Sequence, residues 1–451
     1  MNLYTMMQKR KEEKGPIRVG VIGAGKFSSM FLTEAVNSPA IHVVGVADIR
    51  PDNARASLKR TGWKEEQYSA PSLEDALKTG KTAVIEDSAK LFACGPIEVI
   101  LEITGNPHVG VKHALWAIEN GKHIVMVNVE ADSMVGPYLS RLAEKAGVII
   151  SMAYGDQPAL VCEQVDWCRS IGMQVTAAGK GTKYLPEYHY STPDTIWDYY
   201  GFTKEQLAKG DFNPKMFNSF LDGTKSAIEM VAIANGTGLR CPDDGLSFPG
   251  VGCDELAEKL IPKSAGGLLD KDGVVEVISS LHHDGRPVER DLRFGVYVTF
   301  KARTEYAGRC FAEYGMKTDK SGMYSCLYRP SHLIGLELNV SIASIVLRGE
   351  ATGRSLCWNG DVASVAKKDL KPGEMLDGEG GYTVWGKCIP AKKSVGLGVL
   401  PLGLAFNAKV NKEIKKGELI RWQDVETDEN EHAVKIRKAF EKEFGPEAGG
   451  E

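Results

Sequence analysis

The stretch RVGVIGAGKFS, residues 18–28, decides the fold of the N-terminal part of the chain. It is a short apolar run that stops at Gly23 and continues with the spacing G-x-G-x-x-S. The first glycine permits a tight turn, and Gly25 lets the backbone approach a pyrophosphate at the N-terminus of the next helix. Ser28 stands where a third glycine often lies and is still small enough for the helix to pack on the strand. With Asp48 at the end of the following apolar run, this pattern predicts a dinucleotide-binding turn.

Further short apolar runs follow at residues 42–48, 99–103, 123–128 and 148–152. Continuous runs of this length are typical of parallel strands that are buried on both faces. Helical stretches lie between them, at residues 111–120 and 135–146. This alternation predicts an α/β fold in which residues 1–152 form a Rossmann-type doubly wound sheet with right-handed crossovers.

After residue 152 the regular alternation of strands and helices ends. We predict a central α+β substrate and dimerisation domain over residues 153–350, with a long helix at 225–234 and a strand at 292–302. One face of that strand would carry Phe294, Val296, Val298 and Phe300. Short strands and glycine turns predict a small β-rich domain at 351–428, followed by a charged helix and a glycine-rich tail at 429–451.

Composition excludes several classes of protein. The 451 residues suggest about three domains, and a net charge of −4 gives no basic field for nucleic acid. No run reaches the ~20 apolar residues that cross a bilayer, and the charged N-terminus lacks the apolar core of a secretion signal. The nine cysteines are dispersed, without Cys-x-x-Cys spacing, and are typical of reduced thiols. We therefore expect a cytoplasmic enzyme with no nucleic-acid or membrane partner.

The predicted cofactor site lies at the carboxyl ends of the parallel strands. Asp48 would bind a ribose 2′-hydroxyl and favours NAD, whereas Arg50 could pair with a 2′-phosphate and favours NADP. Asn128 is either a contact to the nicotinamide carboxamide or a helix cap. The candidate cofactor-binding residues are Gly23, Gly25, Lys26, Phe27, Asp48, Arg50, Thr104, Gly105, Asn106, Asn128 and Glu130.

Outside the dinucleotide motif, the segment 178–184 has the highest density of candidate functional residues, among them two lysines. Gly179 and Gly181 flank Lys180, so the backbone is expected to turn sharply there and to present Lys180 and Lys183 to a ligand. Lysines held in this way suit a phosphate, a carboxylate or a developing oxyanion. The spacing of a P-loop is absent, and the apolar surroundings favour a functional site over a solvated loop.

Further candidate catalytic residues lie around the helix predicted at 225–234. Asp222 would cap this helix, and Lys225 and Glu229, one turn apart, form either a surface pair or a buried pair with shifted pKa values. Arg329 could clamp an anionic group, with His332 as a helper. No dense His or Cys ligand motif occurs, so zinc is disfavoured. The metal-binding residues are unknown, and a magnesium or manganese ion held mostly by substrate oxygens stays open.

Several segments together resemble the DRL family, the deoxyxylulose-phosphate reductoisomerase-like proteins that are often labelled homoserine-dehydrogenase-like. The resemblance spans most of the chain and rests on residues 23–28, 104–107, 155–158, 178–184, 191–195 and 328–332. The C-terminal stretch resembles an SAF module, which also occurs in sialic acid synthases and sugar-acid dehydratases, at residues 365–374, 400–403 and 416–419.

The resemblance implies a reaction. The founding activity of the family converts 1-deoxyxylulose 5-phosphate to 2-C-methylerythritol 4-phosphate, by a rearrangement of the carbon skeleton followed by hydride transfer from NADPH. On this hypothesis Lys180, Lys183 and Arg329 hold anionic oxygens. The remaining polar residues, Asp222, Lys225 and Glu229, would manage protons or a metal ion.

Three functions stay open at this point. The first is the NADPH-dependent reductoisomerase of isoprenoid precursor synthesis. The second is a simpler NAD(P)-dependent dehydrogenase of homoserine-dehydrogenase-like type, acting on an amino-alcohol, a hydroxy acid or a sugar acid. The third is a non-catalytic nucleotide sensor. For the enzymes we expect a small substrate that carries a phosphate or a carboxylate, and a homodimer as the default assembly.

Overall fold

A computed structural model describes residues 2–209 and 213–448. The chain divides into two compact units, the first comprising Met1–Leu160 with His332–Ser355 and the second comprising Val161–Ser331 with Leu356–Glu451. The domain boundaries at residues 152, 350 and 428 stay predictions. The end of the predicted tail, residues 449–451, lies outside the described residues.

Strands and helices alternate along the chain. The strands are β1 (Ile17–Ile22), β2 (Ile41–Ala47), β3 (Ala83–Ile85), β4 (Val99–Glu102), β5 (His123–Met126), β6 (Ile150–Met152), β7 (Gln174–Thr182), β8 (Val274–Ser279), β9 (Val296–Lys301), β10 (Tyr324–Arg329), β11 (Gly360–Ala366), β12 (Met375–Asp377), β13 (Val384–Pro390), β14 (Phe406–Val410) and β15 (Val425–Glu426). The helices are α1 (Leu3–Lys14), α2 (Lys26–Ala35), α3 (Pro51–Arg60), α4 (Leu73–Thr79), α5 (Ala89–Ala93), α6 (Pro107–Glu119), α7 (Val129–Ala146), α8 (Gln157–Ser170), α9 (Ile196–Tyr200), α10 (Lys204–Lys209), α11 (Pro214–Leu221), α12 (Thr224–Thr237), α13 (Leu256–Lys259), α14 (Glu305–Glu313), α15 (Asn339–Arg348), α16 (Ala391–Leu397) and α17 (His432–Phe444).

The first unit contains a six-stranded sheet in the order β3-β2-β1-β4-β5-β6. All of its neighbouring strands are parallel, which confirms the predicted Rossmann-type doubly wound sheet and the α/β class. The core of this unit is apolar and joins β1, β4 and α2 to α15. Strand β3 was not predicted, because its three residues give an apolar run too short to recognise in the sequence.

The second unit contains a mixed sheet in the order β10-β9-β7-β8. β7 is parallel to β8 and antiparallel to β9, as expected for an α+β region. The strand predicted at 292–302 is shorter, since β9 begins at Val296 and Phe294 is largely exposed before it. Tyr297 and Thr299 are as buried as Val298, because β9 is a central strand covered on both faces, and the predicted one-sided pattern was wrong.

The C-terminal part of the second unit is rich in short strands. It forms a two-stranded sheet of β11 and β13 and a three-stranded sheet of β12, β14 and β15. The following helix α17 is anchored by Arg437, which is fully buried and donates to both carboxylate oxygens of Asp361 on β11, at 3.1 and 2.6 Å. The SAF character of this region stays a prediction.

Two general features accompany this fold. All nine cysteines are described and free of disulfides. Within residues 2–209 and 213–448, the helices include none with the length and apolar character needed to cross a membrane.

Candidate active site

The turn after β1 has the geometry that a dinucleotide requires. Gly23 has a φ of 97°, and a Cβ there would lie 2.8 Å from the carbonyl oxygen of Ile103, so only glycine fits. Gly25 differs, because its φ is −75° and a Cβ there would meet nothing within 4 Å. The backbone at Gly25 is therefore open on the side from which a phosphate would approach. Lys26 is exposed and Phe27 half-buried at the start of α2.

Asp48 is bonded to this turn. Its Oδ2 accepts from the backbone N–H of Ala24 at 2.9 Å, and its Oδ1 accepts from the N–H of Arg50 at 2.8 Å. The Asp48 carboxylate thus ties the end of β2 to the glycine turn, while remaining half-buried. Arg50 is exposed beside it. Asp48 could therefore still bind a ribose hydroxyl, and Arg50 could still bind a 2′-phosphate.

Two asparagines shape the turns after β4 and β5. Asn106 caps α6 by accepting from the N–H groups of His108 and Val109, at 3.1 and 3.2 Å. Asn128 caps α7 by accepting from the N–H of Ala131 at 3.1 Å, and it donates to the carbonyl of Asn106 at 2.8 Å. Of the two alternatives for Asn128, the helix cap is observed. Thr104 is half-buried, Gly105 and Asn106 are exposed at this edge, and Glu130 is buried in α7.

Alanine variants of the two glycines in the turn, Gly23→Ala and Gly25→Ala, can be compared as a matched pair. We expect Gly23→Ala to destabilise the protein and abolish cofactor binding, because of its positive φ and the contact with Ile103. Gly25→Ala should fold with wild-type stability and still weaken cofactor binding at least about tenfold, because the new methyl group occupies the phosphate approach. Thermal unfolding and fluorescence titration with NADPH and NADH measure both effects. Wild-type affinity in Gly25→Ala would contradict the assignment of this turn.

The second unit buries a lysine–glutamate pair. Lys180 on β7 forms an ion pair with Glu229 on α12, and their side chains are 6% and 2% exposed. Glu229 is therefore buried, as the alternative of a buried pair on this helix predicted. Its ion-pair partner Lys180 comes from β7, which the spacing along the helix did not indicate. Lys225 is half-buried in the first turn of α12. A buried ammonium held by a carboxylate is the type of group that catalysis of proton transfer uses.

The glycines beside Lys180 act differently from the prediction. Gly179 and Gly181 lie within β7 rather than in a sharp turn. A Cβ at Gly179 would overlap the carbonyl oxygen of Glu276, and one at Gly181 would overlap that of Leu292. The expected turn was wrong, because these glycines are required for close backbone packing across the sheet.

A second buried ion pair joins Asp222 to Lys367. The Nζ atom of Lys367 lies 2.6 Å from Asp222 Oδ2 and also donates to the carbonyls of Ser191 and Gly381, at 2.8 and 2.9 Å. Asp222 Oδ1 accepts from the N–H of Thr224, the first residue of α12, at 2.9 Å. The N-cap position itself is Gly223, so Asp222 lies one residue before the cap that was predicted for it. Lys367 follows β11 and lies in the segment 365–374 that carries the SAF resemblance, but two adjacent lysines give no local signal that one of them pairs with Asp222.

Tyr184 and His189 form a hydrogen-bonded pair next to Asp222. His189 Nδ1 lies 2.7 Å from the carbonyl oxygen of Asp222, which can only accept, so Nδ1 carries the proton. Nε2 then accepts from the Tyr184 hydroxyl at 2.8 Å. Burial lowers the pKa of His189 and raises the pKa of Tyr184, so both are neutral near pH 7.

Aromatic rings hold this pair in place. The ring of Trp385 on β13 stacks on His189 with centroids 3.8 Å apart, and Phe248 stacks on Tyr184 at 3.9 Å. Phe248 has a φ of 48°, which is rare for a residue other than glycine and is often found at functional sites. Tyr184 lies in the lysine segment and His189 shortly after it, but neither was predicted as a site residue.

The remaining predicted residues are distributed over both units. Lys183 donates to the carbonyl of Tyr199 at 2.5 Å, and burial together with Arg293 lowers its pKa. Arg329 ends β10 and is half-buried in the second unit. His332 is half-buried in the first unit, so chain proximity to Arg329 does not place both in one compact unit.

The donor set for a metal ion is sparse. Over the described ranges, 2–209 and 213–448, no group of three or more His, Cys, Asp or Glu side chains could hold a metal. The two acidic candidates Asp222 and Glu229 each pair with a buried lysine. These residues therefore do not fit a protein-held divalent cation.

Family comparisons match both parts of this description. Residues 17–128 match the NAD-binding Rossmann fold of an oxidoreductase family. Residues 155–338 match the catalytic domain of oxidoreductase DRL. The resemblance to DRL oxidoreductases is thus confirmed for the segment that contains Lys180, Asp222, Glu229 and Arg329, and the Rossmann match supports a nicotinamide cofactor.

Individual relatives are more distant. The homoserine dehydrogenase of Neisseria gonorrhoeae is 30% identical over 139 residues, or 30% of this chain and 28% of that protein. That of Pseudomonas aeruginosa is 28% identical over the same shares. The match thus spans less than a third of these relatives. A putative myo-inositol dehydrogenase from Sinorhizobium meliloti and a probable dehydrogenase from Thermotoga maritima are 12% and 13% identical, with TM-scores of 0.36 and 0.35, and each comparison covers 74% of this chain and 90% of the other.

Proposed function

We propose that this protein is an NAD(P)-dependent oxidoreductase acting on a small anionic substrate. The observation that carries the proposal is the pair of glycines after β1, of which Gly23 is required by the fold and Gly25 leaves an open approach to the backbone. A glycine that the fold does not require, at the N-terminus of a helix and beside Asp48, fits a bound pyrophosphate. When bound, the nicotinamide supplies or accepts the hydride.

Lys180 is the proposed catalytic acid. Its ammonium group is held by Glu229 in a buried environment, where a charged donor stabilises a developing oxyanion far better than in water. Lys180 would donate a proton from Nζ to the substrate oxygen during reduction and accept it during oxidation, while Glu229 orients Nζ. Arg329 and Lys183 are the proposed anchors for a phosphate or carboxylate.

The first specific reaction to test is the reductoisomerase reaction implied by the DRL family. Its support is the catalytic-domain match over residues 155–338. The sparse metal donor set counts against a metal held by protein side chains alone, so a divalent cation would have to be bound largely by the substrate.

A simple dehydrogenase is the second candidate. It is favoured by the similarity to homoserine dehydrogenases over 139 residues, and it needs no rearrangement of a carbon skeleton. A nucleotide sensor would bind cofactor without turnover, and it gives no chemical reason for a buried Lys180–Glu229 pair. The proposal also includes a homodimer in the cytoplasm, for which light scattering and fractionation are the direct measurements.

The test is turnover with product analysis. Purified protein is mixed with deoxyxylulose phosphate, Mg²⁺ or Mn²⁺, and NADPH or NADH, and the absorbance of the reduced cofactor is followed. A branched polyol phosphate product supports the reductoisomerase. Oxidation of homoserine, a hydroxy acid or a sugar acid, with reduction of NAD(P), supports the dehydrogenase instead. Cofactor binding without turnover on any of these substrates would contradict both enzymatic candidates.

A further inference from the structure

A buried carboxylate lies at the carboxyl end of β4. Glu102 is the last residue of this strand and is fully buried. Its Oε1 accepts from the Thr104 hydroxyl at 2.5 Å and from His113 Nδ1 at 3.2 Å. Its Oε2 has no hydrogen-bond partner among the described residues. A buried carboxylate with one unsatisfied oxygen is costly, and such a group calls for an explanation.

The two ends of this cluster face different surroundings. The His113 ring on α6 lies among aromatic side chains, with the rings of Phe92 and Trp116 at 5.6 and 5.7 Å, and its Nε2 is 3.1 Å from the Ser88 hydroxyl. Thr104, by contrast, is half-buried in the turn at the sheet edge and lies 3.4 Å from Asn128 Nδ2. The carboxylate is therefore separated from that edge by a single hydroxyl group.

The sheet topology places this edge beside the glycine turn. β1 and β4 are neighbours at the point where the strand order reverses, and a Cβ at Gly23 would touch the carbonyl of Ile103. Dinucleotides bind across such a switch point. With the pyrophosphate at Gly25 and one ribose at Asp48 beyond β2, the nicotinamide nucleoside extends to the β4 side. This placement rests on the proposed function.

We propose that Glu102 sets the relative affinity of this site for the oxidised and the reduced cofactor. The oxidised nicotinamide ring carries a positive charge, whereas the reduced ring is neutral. A buried carboxylate close to the ring favours the charged form, because the surrounding dielectric screens it weakly. The same carboxylate fixes the Thr104 hydroxyl, so Glu102 acts as a positioning residue as well as a charge.

The readout is binding in the absence of substrate. Oxidised and reduced cofactors are titrated separately into the wild type and into Glu102→Gln by calorimetry. We expect the variant to lose about tenfold in affinity for the oxidised form and less than about twofold for the reduced form, a coupling in the usual range between two sites. A merely structural role for Glu102 would weaken both forms equally.

Glu98 provides a matched control. It precedes β4 at the amino end of the same strand, where its carboxylate binds the Arg10 guanidinium at 3.0 Å and accepts from the N–H of Arg18 at 3.0 Å. Glu98→Gln removes the same charge far along the strand from the turn, so the ratio of the two affinities should stay that of the wild type.

The outcomes distinguish a failure of the role proposed for Glu102 from a failure of the proposed function. Equal loss for both cofactor forms, or an unchanged ratio in Glu102→Gln, overturns the role of Glu102 and leaves the proposed function standing. Wild-type protein that binds neither form overturns the proposed function, and this inference with it. If Glu102→Gln does not fold, the double variant Glu102→Gln/His113→Gln replaces the pair by two amides that can bond each other, and it carries the same expected ratio.

Discussion

Replacement of Lys180 by methionine is expected to lower kcat by about 10²–10⁴-fold, the usual contribution of a positioned acid or base. Cofactor affinity should stay near that of the wild type, because the proposed role of Lys180 is toward the substrate oxygen and not toward the pyrophosphate that the glycine turn would hold. The variant should also lose about 3–5 kcal/mol of stability, since it leaves the buried carboxylate of Glu229 without its partner. Steady-state kinetics, cofactor titration and chemical denaturation measure the three effects.

A double variant separates the chemical role from the structural one. In Lys180→Met/Glu229→Leu both charges are gone, and apolar side chains of similar size fill the space between β7 and α12, so most of the lost stability should return. Activity should not return, because no donor faces the substrate oxygen. If the double variant recovers activity along with stability, the pair is only a structural element and Lys180 is not the acid.

Replacement of Lys367 by methionine is expected to act on the stability of the protein, since no catalytic role is proposed for this residue. It removes the partner of Asp222, which is fully buried, and also the donor to the carbonyls of Ser191 and Gly381. We expect a loss of about 3–5 kcal/mol in the free energy of unfolding, measured by chemical denaturation. The same change should loosen the turn that carries His189, because His189 is bonded to the carbonyl of Asp222.

An exposed ion pair supplies the control for this prediction. Lys263 and Asp270 lie 2.6 Å apart with side chains 65% and 80% exposed. Lys263→Met should therefore change stability by no more than about 1 kcal/mol. A Lys367→Met variant as stable as this control would show that the Asp222–Lys367 pair contributes nothing, and it would remove the reason for treating the C-terminal strands as a support of α12.

The C-terminal strands of the second unit contact α11, α12 and His189 and support them. Trp385 on β13 stacks on His189, and the N–H of Gly386 donates to the hydroxyl of Thr224 at the start of α12 at 2.9 Å. Asn218, buried within α11, donates to the carbonyl of Gly380 at 2.9 Å. The short strands thus hold the beginning of α12 and the Tyr184–His189 pair in place.

The sequence by itself determined the first unit. The apolar run before Gly23, the spacing to Gly25 and the acidic residue at the next strand end are local signals, since glycine conformation and strand burial depend on neighbouring residues. For this reason the Rossmann sheet could be predicted, and the helix cap at Asn128 was one of its two predicted alternatives, whereas the turn expected beside Lys180 was wrong. The resemblance to DRL oxidoreductases likewise rested on short segments, and it is confirmed over residues 155–338.

Only the tertiary structure decided which polar and charged side chains meet. Glu229 on α12 pairs with Lys180 on β7, and Asp222 pairs with Lys367 across 145 residues of chain. The carboxylate of Glu102 meets the ring of His113 on α6. The glycines beside Lys180 serve sheet packing rather than a turn. The reason is physical: a buried charge is tolerated only where the folded chain brings it a partner, and that partner is set by the path of the chain rather than by spacing along it.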